Sequence, residues 1–443
     1  MSRKITVGAA LALALLMVAA SIPLTMLYAQ SQQNKLIPNL PALVGKFNAL
    51  EEIQKKVNDE FYKKPAEDAV NAGMVRGYIE GLNDPKNLKA LPSRYLSPEE
   101  YQNYRLRLDG KAPEMGIVLK YSPEVFGLVI DQVKAGSTAA VSGLAPDDHI
   151  VKAESGGKVL FNEPEVEPDK ATEAINAFYE ATSVTADTSS ISISITYKRN
   201  GDLRPPVNVM LGNAVSSISA YLMDAWAEPG KTPAKTVGYI KVFHFFKNTA
   251  EQIETAVKDL SNKQAVSYIL DLRGCSEGNL ESVCKAIDLF ADVSQGTDSM
   301  VTVHYKDGSV VPHPSIAGNL TSYATGGLAV LIDGRTSGVA ELFAHDLRAY
   351  NPGKVFLVGK PTRGINTVQE PFPLASVGGA ALLTVGTLVP YAYSGDAPWN
   401  EDGTQPNEPS EADAKEGFLY DIAGAEQQLN GAIAILTKPR KNA

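Results

Sequence analysis

Cysteine is scarce in this chain, with two residues among 443, and no extended basic block stands anywhere in it. Two thiols cannot form a disulfide framework. Cys275 and Cys284 lie nine residues apart across a predicted loop and helix, a poor geometry for bridging each other. Both read as plain thiols, Cys284 as a small core residue. Lys plus Arg is 41 against 50 for Asp plus Glu, a net charge of −9. An acidic chain without a basic stripe excludes nucleic acid as a partner class. The five histidines, His149, His244, His304, His313 and His345, form no H-x-x-x-H or similar cluster, so no zinc site is legible. Asp147-Asp148 has no further ligands at coordinating spacing and reads as a solvated turn. No metal and no cofactor is expected.

What is present is ordinary globular material. The chain is 44% hydrophobic and 21% charged, which excludes a wholly disordered chain, a collagen and a multi-span membrane protein. At roughly 150 residues per domain it holds about three folding units. The N-terminus carries an address. Arg3-Lys4 precedes a stretch from Ile5 to Asn34 without a charge, almost wholly apolar from Ile5 to Leu27. That length falls between a signal-peptide core and a spanning helix. Residues 1–31 therefore read as a signal peptide or a membrane anchor, with residues 5–27 as the anchoring run. Ala29-Gln30-Ser31 supplies a small-x-small cleavage site. Either way the rest of the chain is expected outside the cytoplasm.

Residues 36–110 read as a helical module. Leu43, Phe47, Leu50, Ile53, Val57 and Phe61 step by three and four along one helix face. Pro65 opens a second helix carrying Val70, Met74, Tyr78 and Leu82, closed by Asn83-Asp84-Pro85. Ser97-Pro98-Glu99-Glu100 writes a capping box with Pro at the first helical position. The whole reads as a small helical packing unit. Residues 113–212 change to period two: strands at Gly116–Leu119, Leu128–Ile130 and Ile150–Val151, a helix near Ala171–Tyr179, and alternation at Ile191, Ile193, Ile195 and Tyr197 before the turn Asn200-Gly201. This is a compact α+β module. Residues 213–443 alternate strand and helix, with strands at Val237–Phe243, Ser267–Leu272, Leu328–Ile332, Val355–Val358 and Leu382–Leu388. The predicted helices are Thr249–Leu260, Gly278–Phe290, Gly338–Ala349 and Ala423–Leu436. Such alternation argues a layered α/β domain. Asn400–Lys415 reads as an exposed loop.

Several short motifs in this order resemble the C-terminal processing, or tail-specific, serine peptidases. They are Ser93-Arg94-Tyr95-Leu96-Ser97-Pro98-Glu99-Glu100-Tyr101, then Ala135-Gly136-Ser137 with Gly143-Leu144-Ala145-Pro146-Asp147-Asp148. Val237-Gly238-Tyr239-Ile240, Asp271-Leu272-Arg273-Gly274, Gly359-Lys360-Pro361-Thr362 and Thr367-Val368-Gln369 follow. The resemblance implies a PDZ-like domain at 113–212 and a crotonase-like layered peptidase core at 213–443. It also implies that unfolded or C-terminally exposed polypeptides are the partners. A PDZ domain takes a C-terminus as an added strand, and by position Met115, Gly116, Ile117 and Val118 are its carboxylate loop. The family cleaves with a Ser–Lys dyad and an oxyanion hole.

The sequence departs from that pattern at the dyad. Counting back three from Glu341 puts Gly338 at the nucleophile position. Counting back four from Gln369, a retained family position, puts Ile365 at the lysine. Glu277-Gly278 stands where the family carries two glycines, leaving Gly278 as the oxyanion candidate. Ser337, one residue off, is the stand-in nucleophile, although Thr336 or Ser337 also suits a helix N-cap. His345 lies roughly 12 Å along the same helix and cannot serve it as base. Two functions follow: an extracytoplasmic serine endopeptidase with an atypical site, or a catalytically inactive peptide-binding adaptor.

Overall fold

The computed structural model describes residues 40–84, 91–111, 114–134, 137–171, 174, 175, 178, 182, 192–211, 216–224, 236–291, 300–314, 318, 320–391, 402–409 and 422–437. The apolar run 5–27, Ile191, and parts of the stretches expected as a helix at Ala171–Tyr179 and a loop at Asn400–Lys415 lie outside them. No helix among the described residues is long and apolar enough to cross a membrane. The chain divides into two compact units, residues 1–71 and 72–443.

In the first unit α1 (Leu40–Glu60) is a single long helix, and α2 (Glu67–Glu80) begins there and runs into the second unit. The apolar positions expected to pack are open to solvent: Ile53 and Phe61, and on α2 Val70, Met74 and Tyr78 with Leu82 beyond it. The side of α2 that packs is Ala72, Val75 and Ile79, against Tyr95 and Ala381. Periodicity identified both helices and picked the wrong face of the second. β1 (Arg94–Leu96) follows, then α3 (Pro98–Leu108). Its cap is the expected one: Glu100 N–H donates to Ser97 Oγ at 3.2 Å, and Ser97 N–H to Glu100 Oε2 at 2.6 Å.

The described residues between 114 and 211 form one antiparallel sheet with a core of its own. Its elements are β2 (Ile117–Ser122), β3 (Gly127–Val133), α4 (Thr138–Val141), β4 (His149–Ser155), β5 (Lys158–Phe161), β6 (Ser192–Arg199), β7 (Asp202–Leu203) and β8 (Val207–Met210). The strand order is β2-β3-β4-β6-β7, with β5 on β4 and β8 on β6, so β2 is an edge. Ile117, Leu119, Leu128, Ile150, Ile193 and Ile195 pack with Phe178 in the core. Asp148, expected in a solvated turn, is fully buried and bonds Arg199 Nε at 2.7 Å; Asp147 is the solvated one of the pair. The acid is buried because a guanidinium and the Ala145 N–H, at 2.8 Å, satisfy it there.

The remaining elements in chain order are β9 (Ile218–Asp224), β10 (Thr236–Val242), β11 (His244–Phe245), α5 (Thr249–Asn262), β12 (Ser267–Asp271), β13 (Glu277–Gly278) and α6 (Leu280–Asp288). Then come β14 (Val301–Tyr305), β15 (Val310–His313), β16 (Gly327–Ile332), α7 (Val339–Tyr350), β17 (Val355–Gly359), β18 (Thr367–Pro373), β19 (Ala380–Pro390), β20 (Glu408–Pro409) and α8 (Ile422–Thr437). The central sheet runs β20-β17-β16-β12-β10-β9, parallel except for the antiparallel β9. β12 and β16 are buried at every position, as strands covered on both faces must be. Ile240, Leu270 and Val330 face α5, α6 and α7, while Tyr239, Ile269 and Leu331 face α8. A second sheet, β1-β19-β14-β15 with β18 on β19, is antiparallel. This is a layered, mixed α/β architecture.

Candidate functional site

The turn from β16 into α7 is built around two carboxylates. Asp333 Oδ1 accepts from the N–H groups of Gly274 (3.0 Å), Arg335 (3.0 Å) and Thr336 (2.9 Å). Burial pushes the Asp333 pKa up, but Arg335, the Gly274 N–H and Lys241 outweigh it and hold the carboxyl below its usual range. Thr336 Oγ1 donates to Leu272 O at 2.9 Å, and Ser337 N–H to Cys275 O at 3.0 Å. The turn is thereby sewn to the segment that follows β12. Beneath it, Asp271 gathers Tyr239 Oη (2.6 Å), Lys241 Nζ (3.2 Å) and the Arg273 guanidinium. Burial opposes ionisation of Asp271, yet Lys241 and Arg273 prevail and keep its pKa far below the ordinary value.

Gly338 occupies the N-cap position of α7 with φ 61° and ψ −122°. The expectation that Thr336 or Ser337 caps the helix is corrected: Thr336 is committed to Leu272 and Asp333, and Ser337 lies one residue outside the cap. A Cβ added at Gly338 would meet nothing within 4 Å. A strained strand-to-helix turn that leaves room for a side chain is the geometry in which α/β hydrolytic folds present a nucleophile. In this chain that position carries no side chain.

Glu341, fully buried, organises the rest. Its Oε2 accepts from Gly338 N–H at 2.7 Å and from Ile365 N–H at 2.9 Å. Its Oε1 accepts from Gly364 N–H at 2.6 Å and from the Thr362 hydroxyl, which itself accepts from Thr404 N–H at 2.7 Å. Gly338 and Ile365, 27 residues apart in sequence, are thus bridged by a single carboxylate oxygen. Ile365 is fully buried, an apolar side chain at the position that counting back from Gln369 assigns to the lysine.

The other candidates sort clearly. Ser337 is 2% exposed, and among the described residues no lysine or histidine side chain bonds its hydroxyl. Gly278 pairs with Phe245 across β13 and β11, and a Cβ there would come within 2.9 Å of Val339, the residue after Gly338. Glycine lets this strand approach the elbow. Gln369, at a bulge in β18, does not join Gly338 and Ile365 through its side chain. Its Nε2 donates to Pro92 O (3.0 Å), Leu91 O (3.2 Å) and Thr384 Oγ1 (3.3 Å), tying the segment before β1 to the second sheet. Cys275, beside Ser337, offers no substitute nucleophile, because burial pushes its thiol up to about 12.

Met115, Gly116, Ile117 and Val118 lead into the edge strand β2. Met115 O accepts from Ala139 N–H at 3.0 Å, and Gly116 O from Lys134 N–H at 2.8 Å. Gly116 has φ 84°, and a Cβ there would stand 2.2 Å from Ser137 Cβ, so only glycine fits. Sequence reasoning missed the cluster next to it. Lys134 Nζ, almost fully buried, contacts Glu114 Oε1 at 2.6 Å and His244 Nε2 at 3.4 Å. Burial raises the Glu114 pKa and lowers those of Lys134 and His244. Single residues scattered over 130 positions left no motif to read.

Helix α7 also carries a buried His345–Asp346 pair, Nδ1 to Oδ1 at 2.9 Å. Burial pushes His345 down to about 4 and Asp346 well up, so it disfavours the charged form of both partners. A carboxyl whose folded pKa is raised takes up a proton on folding, so its contribution falls as pH rises above the unfolded value. Asp346→Asn removes that slope. Its stability relative to the parent chain is expected to grow by up to about 1.4 kcal/mol per pH unit above about pH 4. Urea unfolding from pH 4 to 7 checks this; a difference independent of pH contradicts it.

The layered α/β core thus carries a strand-to-helix elbow at Gly338. Residues 236–410 match the model of peptidase family S41. The carboxy-terminal processing protease CtpA of Bacillus subtilis is 24% identical over 73% of this chain and 61% of its own length. The carboxyl-terminal-processing peptidase 3, chloroplastic, of Arabidopsis thaliana is 26% identical over 67% of this chain and 53% of its own. A solved Bacteroides fragilis structure described as an S41 protease shares the fold, with a TM-score of 0.50 and 16% identity over 85% of this chain and 91% of that one. Over residues 236–410 the chain is similar to peptidase family S41, and over about two thirds or more of its length to C-terminal processing peptidases. It spans 61% and 53% of the lengths of the two curated relatives.

Proposed function

We propose that this chain is an extracytoplasmic S41 protein that binds unfolded polypeptides at or near their C-termini and does not cleave them with a Ser–Lys dyad. Residues 113–212 serve as a PDZ-like module, residues 213–443 as a crotonase-like core. The observation that carries the reading is the pair Gly338 and Ile365, held on one oxygen of Glu341 with neither a nucleophile nor a base between them. The edge strand β2 behind the glycine turn at Gly116 supports strand addition of a tail. Export rests on the uncharged run 5–27 behind Arg3-Lys4, acting as a signal peptide or an anchor. A second reading, hydrolysis through Ser337, draws on the resemblance to the S41 peptidases and on the Ser337 side chain being left out of the helix cap.

Gly116→Ala tests the binding half. The added methyl forces the loop off Ser137, and affinity for a labelled peptide with a free, apolar C-terminus is expected to fall at least tenfold by fluorescence anisotropy. Amidating that peptide should cost the parent chain a comparable loss. Unchanged affinity in both experiments would remove the module from tail recognition.

A further inference from the structure

β9 ends the central sheet, and among the described residues no strand pairs its outer edge. Such an edge offers main-chain donors and acceptors to any extended chain laid beside it. Between this edge and α5 runs a groove of about 500 Å³, lined by Ile218 and Ala220 on the strand and by Glu251, Thr255, Asp259 and Lys263 on the helix side. Helix α5 is ~21 Å long, enough to flank about six residues of extended chain.

The charge in the groove is ordered. Glu251, Thr255 and Asp259 stand one turn apart on one helix face, acidic along its length, with Lys263 at the C-cap closing the row. Glu251 and Asp259 are exposed and form no ion pair among the described residues, whereas Glu254, off that row, is taken by Lys258 at 2.6 Å. Two helical turns separate the two free carboxylates by ~12 Å. Side chains four residues apart on an extended chain point the same way and stand ~13 Å apart. The segment leading into β9 is fixed to β10, since Ser217 O accepts from Phe243 N–H at 2.9 Å.

We propose that the β9–α5 groove binds an extended polypeptide segment by strand addition and selects basic side chains four residues apart. This rests on the reading that the chain holds unfolded polypeptides, and it adds a site that needs no free C-terminus. Together with β2 it gives two strand-adding edges, so a long unfolded chain gains avidity that a short tail lacks.

The probe is an acetylated, amidated octapeptide of valine and threonine with lysines four residues apart, titrated into the full chain by fluorescence anisotropy. It is expected to bind at least tenfold more tightly than the same peptide with glutamates in place of lysines. Glu251→Lys/Asp259→Lys, at two solvent-exposed positions, is expected to weaken it at least tenfold while the chain still unfolds cooperatively in urea. Amide exchange at residues 218–222 should slow on binding. Equal affinity for the two peptides, undiminished binding by the double variant, or no protection of 218–222 overturns the proposal. The two readings fail separately. If tail recognition is wrong, the free-carboxylate peptide fails to bind while the lysine octapeptide still does; if the groove is wrong, the reverse holds.

Discussion

Replacing Glu341 by alanine is expected to lower the stability of the chain by about 4 kcal/mol, among the largest single effects available in it. The carboxylate is fully buried and satisfies the N–H groups of Gly338, Gly364 and Ile365 and the Thr362 hydroxyl. Alanine leaves all four donors inside the protein without an acceptor, at about 1–3 kcal/mol each before relaxation. It also frees the 362–365 loop from α7, since the two meet through this side chain. Glu341→Gln keeps one acceptor oxygen but turns an NH2 group toward N–H donors, and should cost about half as much. Urea unfolding checks both: the midpoint falls in the order parent, glutamine, alanine. Equal midpoints for the two variants would show that the loop is held by other contacts.

The second large effect is a gain. Gly338→Ser/Ile365→Lys is expected to cleave a tailed, unfolded reporter at least tenfold faster than the parent chain, while each single variant does not. The serine fits, because a Cβ at Gly338 meets no atom within 4 Å; its backbone, at φ 61°, costs about 1–3 kcal/mol of strain. The lysine enters a fully buried site, where desolvation favours the neutral amine that a base requires. A nucleophile without its base, or the reverse, gains little, because such groups act as a unit. Single-turnover assays of the three variants measure this. Equal rates across parent, singles and double would mean that Glu341 does not hold the two positions in a productive relation.

Much of the architecture was legible because it is locally encoded. The buried runs Tyr268-Ile269-Leu270 and Leu328–Ile332 can only be strands covered on both sides, and Ser97-Pro98-Glu99-Glu100 writes its own helix start. The family motifs fixed the order of the rest. What failed was partnership. The stripe Val70, Met74 and Tyr78 looks like a packing face, yet Ala72, Val75 and Ile79 meet β1 and β19, a choice made by strands far along the chain. β9, β14 and β15 went unread: the alternation Val301-Thr302-Val303-His304 is present but short, and the mixed residues of β9 and β15 give no such period. In the site, the substitutions at Gly338 and Ile365 could be counted from Glu341 and Gln369. That Glu341 itself joins them, while Gln369 turns away to Leu91 and Pro92, depends on hydrogen bonds between distant segments.

The central claim is that the chain holds polypeptide tails without cutting them through a serine. The direct measurement is incubation of the soluble chain with an unfolded, C-terminally tailed reporter beside its Ser337→Ala variant, following binding and cleavage together. The account predicts a bound, intact reporter with both proteins. Cleavage by the parent chain that disappears in Ser337→Ala would contradict it and establish an atypical serine peptidase.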